Sequence, residues 1–310
     1  MTAPNVAITD LTVTFRRGRV RALDGISLRL PVGMVGLLGP NGAGKTTFMR
    51  VLTGVLLPAS GTVAVDGTEL RSRGQRRELK ASIGYLPQEM GLYPDLTASQ
   101  FLDYMALLKG ITDRRARRAR VREVLDLVSL GDVAHRKVRG YSGGMKRRVG
   151  IAQAILNDPR LLIVDEPTVG LDPEERLRFR SLLARLAGDR TVLLSTHLVD
   201  DVVQTCPNVV VIDHGRLAFQ GTTDDLAGRA RDTVWHLTRP STAPPPDLPT
   251  VTITPSPAGT TYRVISPTAP APDAEPVTAT VEDGYLALMH ATGPERPQGL
   301  HRPRQHQGSN

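Results

Sequence analysis

The segment Gly39-Pro40-Asn41-Gly42-Ala43-Gly44-Lys45-Thr46 constrains this chain more than any other feature. It fits the pattern G-x-x-x-x-G-K-[ST], follows directly on the apolar run Met34–Leu38 and leads into the helix-forming stretch Thr47–Leu52. A continuous apolar run of that length is a strand buried on both faces, which belongs in a parallel sheet. Strand, glycine-rich loop and helix in that order build a cradle for phosphate. Glycines let the backbone curl until successive N–H groups converge, and the helix N-terminus adds the positive end of its dipole. The pattern assigns Gly39, Pro40, Asn41, Gly42, Ala43, Gly44, Lys45, Thr46 and Thr47 to the phosphates of a nucleotide. Lys45 then reaches the β- and γ-phosphates, and the Thr46 hydroxyl ligates Mg²⁺.

Composition narrows the setting. With 310 residues, 40% hydrophobic and 23% charged, the chain has material for a proper core and about two domains of ~100–200 residues. Cys206 is the single cysteine, so no disulfide framework and no cysteine-built metal site exists. An aromatic share of 4% argues against stacking platforms for single-stranded nucleic acid. Lysine and arginine outnumber aspartate and glutamate by 39 to 31, a net charge of +8 that favours anionic partners without choosing among them. The charged N-terminal region lacks the apolar core of a secretory signal. The longest uncharged run of note, Val51–Val65, is broken by Gly54, Pro58, Ser60 and Gly61, short of the ~18 apolar residues of a spanning helix. The cytoplasm is the expected compartment.

Up to about residue 228 apolar strand-like runs alternate with amphipathic stretches, which predicts an α/β fold around a largely parallel sheet. Val6–Thr14 and Gly25–Leu30 read as paired strands around a charged turn, Arg16–Arg21. Leu96–Leu130 reads as helical throughout, and its basic run Arg114–Arg122 as a solvated face or, more sharply, a contact for anionic lipid headgroups. A boundary is expected near Gly228–Asp232. Beyond it, Thr233–Leu237, Thr250–Thr254 and Tyr262–Ile265 read as short strands and Val281–His290 as a closing helix. Residues 240–310 hold 14 of the 24 prolines, and 293–310 are expected to be a disordered tail.

Three further motifs carry chemistry. Leu161–Asp165 is a second buried strand, with Asp165 placed for Mg²⁺ and Glu166 placed to polarise an attacking water as general base. In Tyr141-Ser142-Gly143-Gly144-Met145, Ser142 lies 97 positions after Lys45, and the segment opens the amphipathic stretch Lys146–Leu156. Ser-Gly-Gly there is either a helix cap or a second anion site. His197 follows the strand Thr191–Ser195, and a lone histidine is more often a surface or capping residue than a catalytic one.

Taken in order, the phosphate loop, Gln88 in Tyr85-Leu86-Pro87-Gln88, the Ser-Gly-Gly segment, Val164-Asp165-Glu166-Pro167, Gly170-Leu171-Asp172 and His197 resemble the nucleotide-binding subunit of an ATP-binding-cassette (ABC) transporter. The likeness covers roughly residues 5–228. It implies a P-loop NTPase with a RecA-like core, an N-terminal antiparallel β subdomain and a helical subdomain at about 89–140. Residues 1–228 would form that unit, and 229–292 a small C-terminal accessory domain. It also implies ATP hydrolysis with ATP and Mg²⁺ bound, Phe15 on the adenine, and Glu166, His197 and Gln88 as catalytic residues. Gln88 would contact Mg²⁺ or the attacking water, and His197 the γ-phosphate. Ser142, Gly143 and Gly144 would hold the γ-phosphate bound to an opposite subunit, with Asp172 linking the two. The implied partners are a separate transmembrane permease and a second ATP-binding subunit, identical or related, with no nucleic acid. The implied place is cytoplasmic, peripheral on the inner face of the cell membrane.

Tyr141 and Met145 depart from the commoner Leu-Ser-Gly-Gly-Gln, and Met145 lacks the amide of Gln. Tyrosine there, with Lys146-Arg147-Arg148 following, is similar to exporter subunits of the drug, polysaccharide or antibiotic-resistance kind. Such subunits also carry an extension with a pattern like Thr280–Leu288, where the simpler reading is an amphipathic helix packed on the main domain. The competing class is a soluble ABC-type ATPase of translation or DNA repair. Those tend to carry two cassettes or long coiled-coil insertions, neither of which occurs here. A non-hydrolysing regulatory subunit would be expected to lack Glu166 or His197.

Overall fold

Alternating apolar residues make β1 (Val6–Phe15), which buries Val6, Ile8, Leu11 and Val13. The structure is a computed structural model that describes residues 6–16, 18–65, 67–69, 82–240, 248–257 and 259–292; the expected tail at 293–310 lies outside the described residues. β1 pairs antiparallel with β2 (Val20–Leu30) and β4 (Ser60–Val65), and β5 (Thr68–Glu69) completes a sheet of order β2-β1-β4-β5. The second strand starts earlier than its sequence suggests. Arg21 and Leu23 already pair with Thr14 and Val13, and the buried Leu23 holds them there.

The main sheet is built from β3 (Gly33–Leu38), β6 (Ile83–Leu86), β7 (Leu161–Asp165), β8 (Thr191–Ser195), β9 (Asn208–Asp213) and β10 (Arg216–Thr222). Its order is β10-β9-β3-β8-β7-β6, with β10 alone antiparallel to its neighbour. Every residue of β7 and β8 is buried, which is why those runs show no polar alternation. Successive side chains serve opposite faces. Leu37, Ile163, Leu193 and Val210 pack towards the antiparallel sheet and α1 (Lys45–Leu52). Leu38, Leu162, Val164, Leu194 and Val211 pack towards the remaining helices. Because β3 lies beside β8, and β8 beside β7, the loops after these three strands meet at the carboxyl end of the sheet. Open parallel sheets bind ligands there.

The stretch expected to be one long helix is two, α2 (Ala98–Leu108) and α3 (Arg114–Leu127). Gly110, at φ +88°, turns the chain after α2, and Asp113 caps α3 by accepting from the Ala116 N–H at 2.7 Å. The basic run on α3 is not a purely solvated face either. Arg117 pairs with Asp103 at 2.8 Å, and Arg120 donates to the carbonyls of Ile155 and Leu156 at 2.6 and 2.9 Å. Those two carbonyls follow α4 (Gly143–Ala154), so Arg120 satisfies the end of the helix that Ser142 begins.

Lys109 sits between α2 and α4 with its ammonium buried against the Ala154 carbonyl, and burial lowers its pKa from 10.5 to about 8. A folded pKa below the unfolded one means that stability rises as pH climbs through that interval, and that the buried charge costs most below it. Lys109→Met is therefore expected to raise Tm by several degrees at pH 7, with the gain shrinking towards pH 10. Thermal melts at both pH values decide it; an unchanged or lower Tm at pH 7 contradicts the argument.

α5 (Pro173–Leu186) and α6 (Val199–Thr205) cover one face of the sheet, and α7 (Thr223–Ala227) follows β10. After Ala230 the chain forms a small antiparallel sheet from β11 (Val234–Arg239), β12 (Thr250–Ser256), β13 (Gly259–Ile265) and β14 (Glu275–Pro276), in the order β12-β13-β11-β14. Two-residue β14 is too short to show any periodicity in the sequence. α8 (Val281–Thr292) ties this sheet to the body of the protein. Arg263 of β13 pairs with the fully buried Asp283 at 2.6 Å, while Val281 and Leu288 join the cluster that contains Leu226 and Cys206. Gly284 lets α8 approach so closely that a Cβ there would lie 1.8 Å from the Leu226 carbonyl oxygen.

Candidate functional site

The loop after β3 is shaped by backbone that few side chains tolerate. Gly39 (φ +150°) and Gly44 (φ +105°) both lie at positive φ. A Cβ on Gly39 would sit 2.1 Å from the Ile212 carbonyl oxygen, and one on Gly44 would sit 2.8 Å from that of Ala22. Glycine is needed at both for space as well as for conformation. The Gly215 N–H donates to the Ala43 carbonyl at 2.9 Å and anchors the loop to the β9–β10 turn. α1 then starts with no side-chain cap and no acidic residue in its first turn. Its free N–H groups and positive dipole end suit an anion. Lys45 folds over the loop and donates to the carbonyls of Gly39 and Pro40 at 2.5 and 3.0 Å. Burial lowers its pKa, opposed by the nearby carboxylates of Glu166 and Asp165.

Residues Pro40–Thr47 line one side of a cleft of about 340 Å³, and Gln88, Asp165, Glu166, Val169, Ser195 and His197 line the rest. Asp165 ends β7. Glu166 follows at φ +47°, a conformation uncommon for a residue with a side chain, and its N–H donates to the Ser195 carbonyl at 2.9 Å. Such strain costs on the order of 1–3 kcal/mol and gathers at functional sites. The Glu166 carboxylate is 13% exposed and meets Nδ1 of His197 at 2.8 Å. Burial pushes the Asp165 carboxyl up, and the charge of Glu166 adds to the rise; the Ser195 hydroxyl, Lys45 and Arg50 oppose it. The Asp165 carboxylate, the Thr46 hydroxyl and the Gln88 amide line the same cleft and offer hard oxygen donors that fit Mg²⁺.

The structure thus brings Asn41, Gly42, Ala43, Lys45, Thr46, Gln88, Asp165, Glu166 and His197 into one cleft. Gly39 shapes the loop without lining it. Phe15 lies at the end of β1, 41% exposed, outside the lining. Ser142, Gly143 and Gly144 open α4 away from the cleft, where the Ser142 hydroxyl accepts from the Met145 N–H at 3.2 Å as a helix cap. Asp172 likewise caps α5, accepting from the Glu175 N–H at 2.9 Å. The two departures in the signature have structural partners. Tyr141 is buried and donates its hydroxyl to the Val133 carbonyl at 2.7 Å, and Met145 packs against the helical core. Arg147, two positions later, donates to the Gln88 carbonyl at 2.9 Å, so the Gln88 segment is tied to α4. Sequence reasoning missed Ser195 and Val169. Ser195 was open to discovery as the polar end of an otherwise apolar strand, whereas nothing in the sequence marks Val169.

A phosphate cradle at the carboxyl end of a parallel sheet, with two acids and a histidine across a narrow cleft, defines a phosphate-loop ATPase. Residues 23–169 match the protein family described as ABC transporter. The chain is 39% identical over 203 residues to an uncharacterized ABC transporter ATP-binding protein, YxlF of Bacillus subtilis, covering 66% of each chain. It is 40% identical over 224 residues to the daunorubicin resistance ATP-binding protein DrrA3 of Streptomyces coeruleorubidus, covering 72% of this chain and 70% of that one. Among solved structures it resembles cbiO1 of Clostridium perfringens, part of the ABC transporter complex cbiONQ, with a TM-score of 0.67 and 28% identity over 73% of this chain and 92% of that one. It also resembles the ATP-binding cassette MJ0796, in a dimeric post-hydrolysis state bound to ADP and Pi, with a TM-score of 0.62 and 26% identity over 70% and 98% of the two chains. The chain belongs to the ABC transporter family, as an ATP-binding and ATP-hydrolysing subunit.

Proposed function

We propose that two such subunits clamp ATP between them head to tail, and that hydrolysis drives a separate transmembrane permease in export. The observation that carries this reading is the single cleft in which the phosphate loop, Asp165 and the Glu166–His197 pair face one another. Lys45 and the loop N–H groups hold the phosphates. Glu166 takes a proton from the attacking water, oriented by its contact with His197, and His197 and Gln88 follow the γ-phosphate. Thr46, Asp165 and Gln88 would hold Mg²⁺, which when bound would neutralise charge on the phosphate oxygens. Phe15, exposed at the end of β1, would stack on adenine.

Ser142, Gly143 and Gly144 lie outside the cleft of their own chain, which supports their serving the cleft of a second subunit, with Asp172 at the junction. The dimeric state described for MJ0796 supports the same arrangement. Export is supported by relatives whose names state it: the Nod factor export ATP-binding protein I of Ralstonia nicotianae is 38% identical over 213 residues, covering 68% of this chain and 65% of that one. Among the described residues no helix is long and apolar enough to cross a membrane; in this reading the cargo passes through a separate permease. The subunit then works in the cytoplasm, peripheral to the inner face of the membrane. Residues 1–228 form the nucleotide-binding unit, with helical subdomain 89–140, and 229–292 an accessory unit docked through α8.

Mixing two inactive variants tests the head-to-tail arrangement. Lys45→Ala removes the cradle and Ser142→Arg blocks the cap, so each alone is expected to be silent. In a mixed pair one composite site has both parts intact, and ATPase activity should return on mixing. Failure to recover activity, with each variant folded, overturns head-to-tail pairing of this chain with itself.

A further inference from the structure

Asp201 is a buried carboxylate that the mechanism above does not use. It lies on α6, four positions after His197, and only 1% of its side chain is exposed. One of its oxygens accepts from the Thr168 hydroxyl at 2.5 Å, and the other pairs with the guanidinium of Arg180 on α5. Thr168 is itself buried, two residues after Glu166, and Arg180 also reaches Gln204 on α6. The Asp201 N–H donates to the Leu198 carbonyl at 3.1 Å, closing the turn that connects it to His197. A single side chain therefore joins three segments: the loop that carries Glu166, the helix that begins at Asp172, and the helix that follows His197.

Stability alone does not account for this cluster. Burying a charged pair costs desolvation that its attraction barely offsets, and apolar residues of similar volume often serve stability as well or better. Arg180 even keeps a buried Nε with no hydrogen-bond partner, a further cost. What a short, fully buried, two-sided carboxylate does provide is position. Glu166 and His197 stand on separate loops, and their 2.8 Å contact depends on how the two loops are held.

We infer that Asp201 is a positioning residue for hydrolysis, locking the Thr168 segment to α6 so that Glu166 and His197 meet in register. This rests on the reading of Glu166 as the general base. A misplacement of about 1 Å in such a constellation can cost about 10²-fold in rate. The lock acts on the chemical step and leaves the phosphate loop untouched.

The test uses the full-length chain with MgATP. Thr168→Val removes the hydroxyl with little change of shape, Thr168→Ser restores it, and Asp201→Asn keeps the size while deleting the charge. Thr168→Val and Asp201→Asn are each expected to lower kcat about tenfold or more. KM and the affinity for a fluorescent ATP analogue should stay within about twofold, since they report the untouched cradle. Thr168→Ser should return kcat towards wild type. Should Asp201→Asn fail to fold, the Thr168 pair still decides the matter. Thr168→Val with wild-type kcat, whatever its Tm, overturns the inference, as does a loss of nucleotide affinity equal to the loss of rate. Glu166→Gln in parallel separates the two ideas. If that variant hydrolyses normally the base assignment itself is wrong; if it is silent while Thr168→Val is normal, only the positioning role of Asp201 falls.

Discussion

Glu166→Gln is expected to lower ATP turnover by a factor of about 10²–10⁴ while nucleotide binding persists. The substitution keeps the shape of the side chain and an oxygen for His197 to meet, so the cleft should stay as it is. What it removes is the ability to accept a proton from water. The left-handed backbone at Glu166 and its contact with His197 show a side chain held in place, not one free to be replaced by a neighbour. If hydrolysis is what releases the phosphate contacts between two subunits, the variant should also accumulate as an ATP-bound pair. Phosphate release measured alongside light scattering after size exclusion reads both outcomes. Normal hydrolysis by the variant would refute Glu166 as the base.

Lys45→Ala is expected to weaken ATP binding by about 10–150-fold, the equivalent of one charge-assisted contact of about 1.5–3 kcal/mol. The ammonium is half-buried and already ordered by the carbonyls of Gly39 and Pro40, so contact with phosphate requires little further ordering. Its removal also takes away a positive charge that acts on Asp165 and Glu166, which makes the cleft more repulsive to a polyanion. The increase in Tm that MgATP gives the wild type should shrink accordingly at equal ligand concentration, since that increase follows ligand concentration over Kd. Titration calorimetry provides the independent value, and an unchanged affinity counts against the role given to Lys45.

The two predictions draw on different kinds of information. Lys45 was legible because the phosphate loop is local chemistry. Its glycines, its lysine and its helix start are contiguous, and the buried strand before them announces itself as an unbroken apolar run. Asp165 and Glu166 were legible for the same reason, at the end of a second such run. The helix boundary at Gly110 and Asp113 was present in the sequence too, but the strength of the helical pattern on both sides concealed it.

What the sequence by itself determined is the inventory: which loops carry phosphate-binding, acidic and histidine groups, and that strands and helices alternate around them. Only the tertiary structure decided which of these groups meet. The order β9-β3-β8-β7 places three loops that are far apart along the chain at one end of the sheet, and hydrogen bonds between neighbouring strands set that order. The Glu166–His197 contact, the grip of Arg120 on the end of α4, and the Asp201 lock all bridge residues at least 21 positions apart. Such contacts depend on burial and on the packing of whole elements, and no short window of residues contains them.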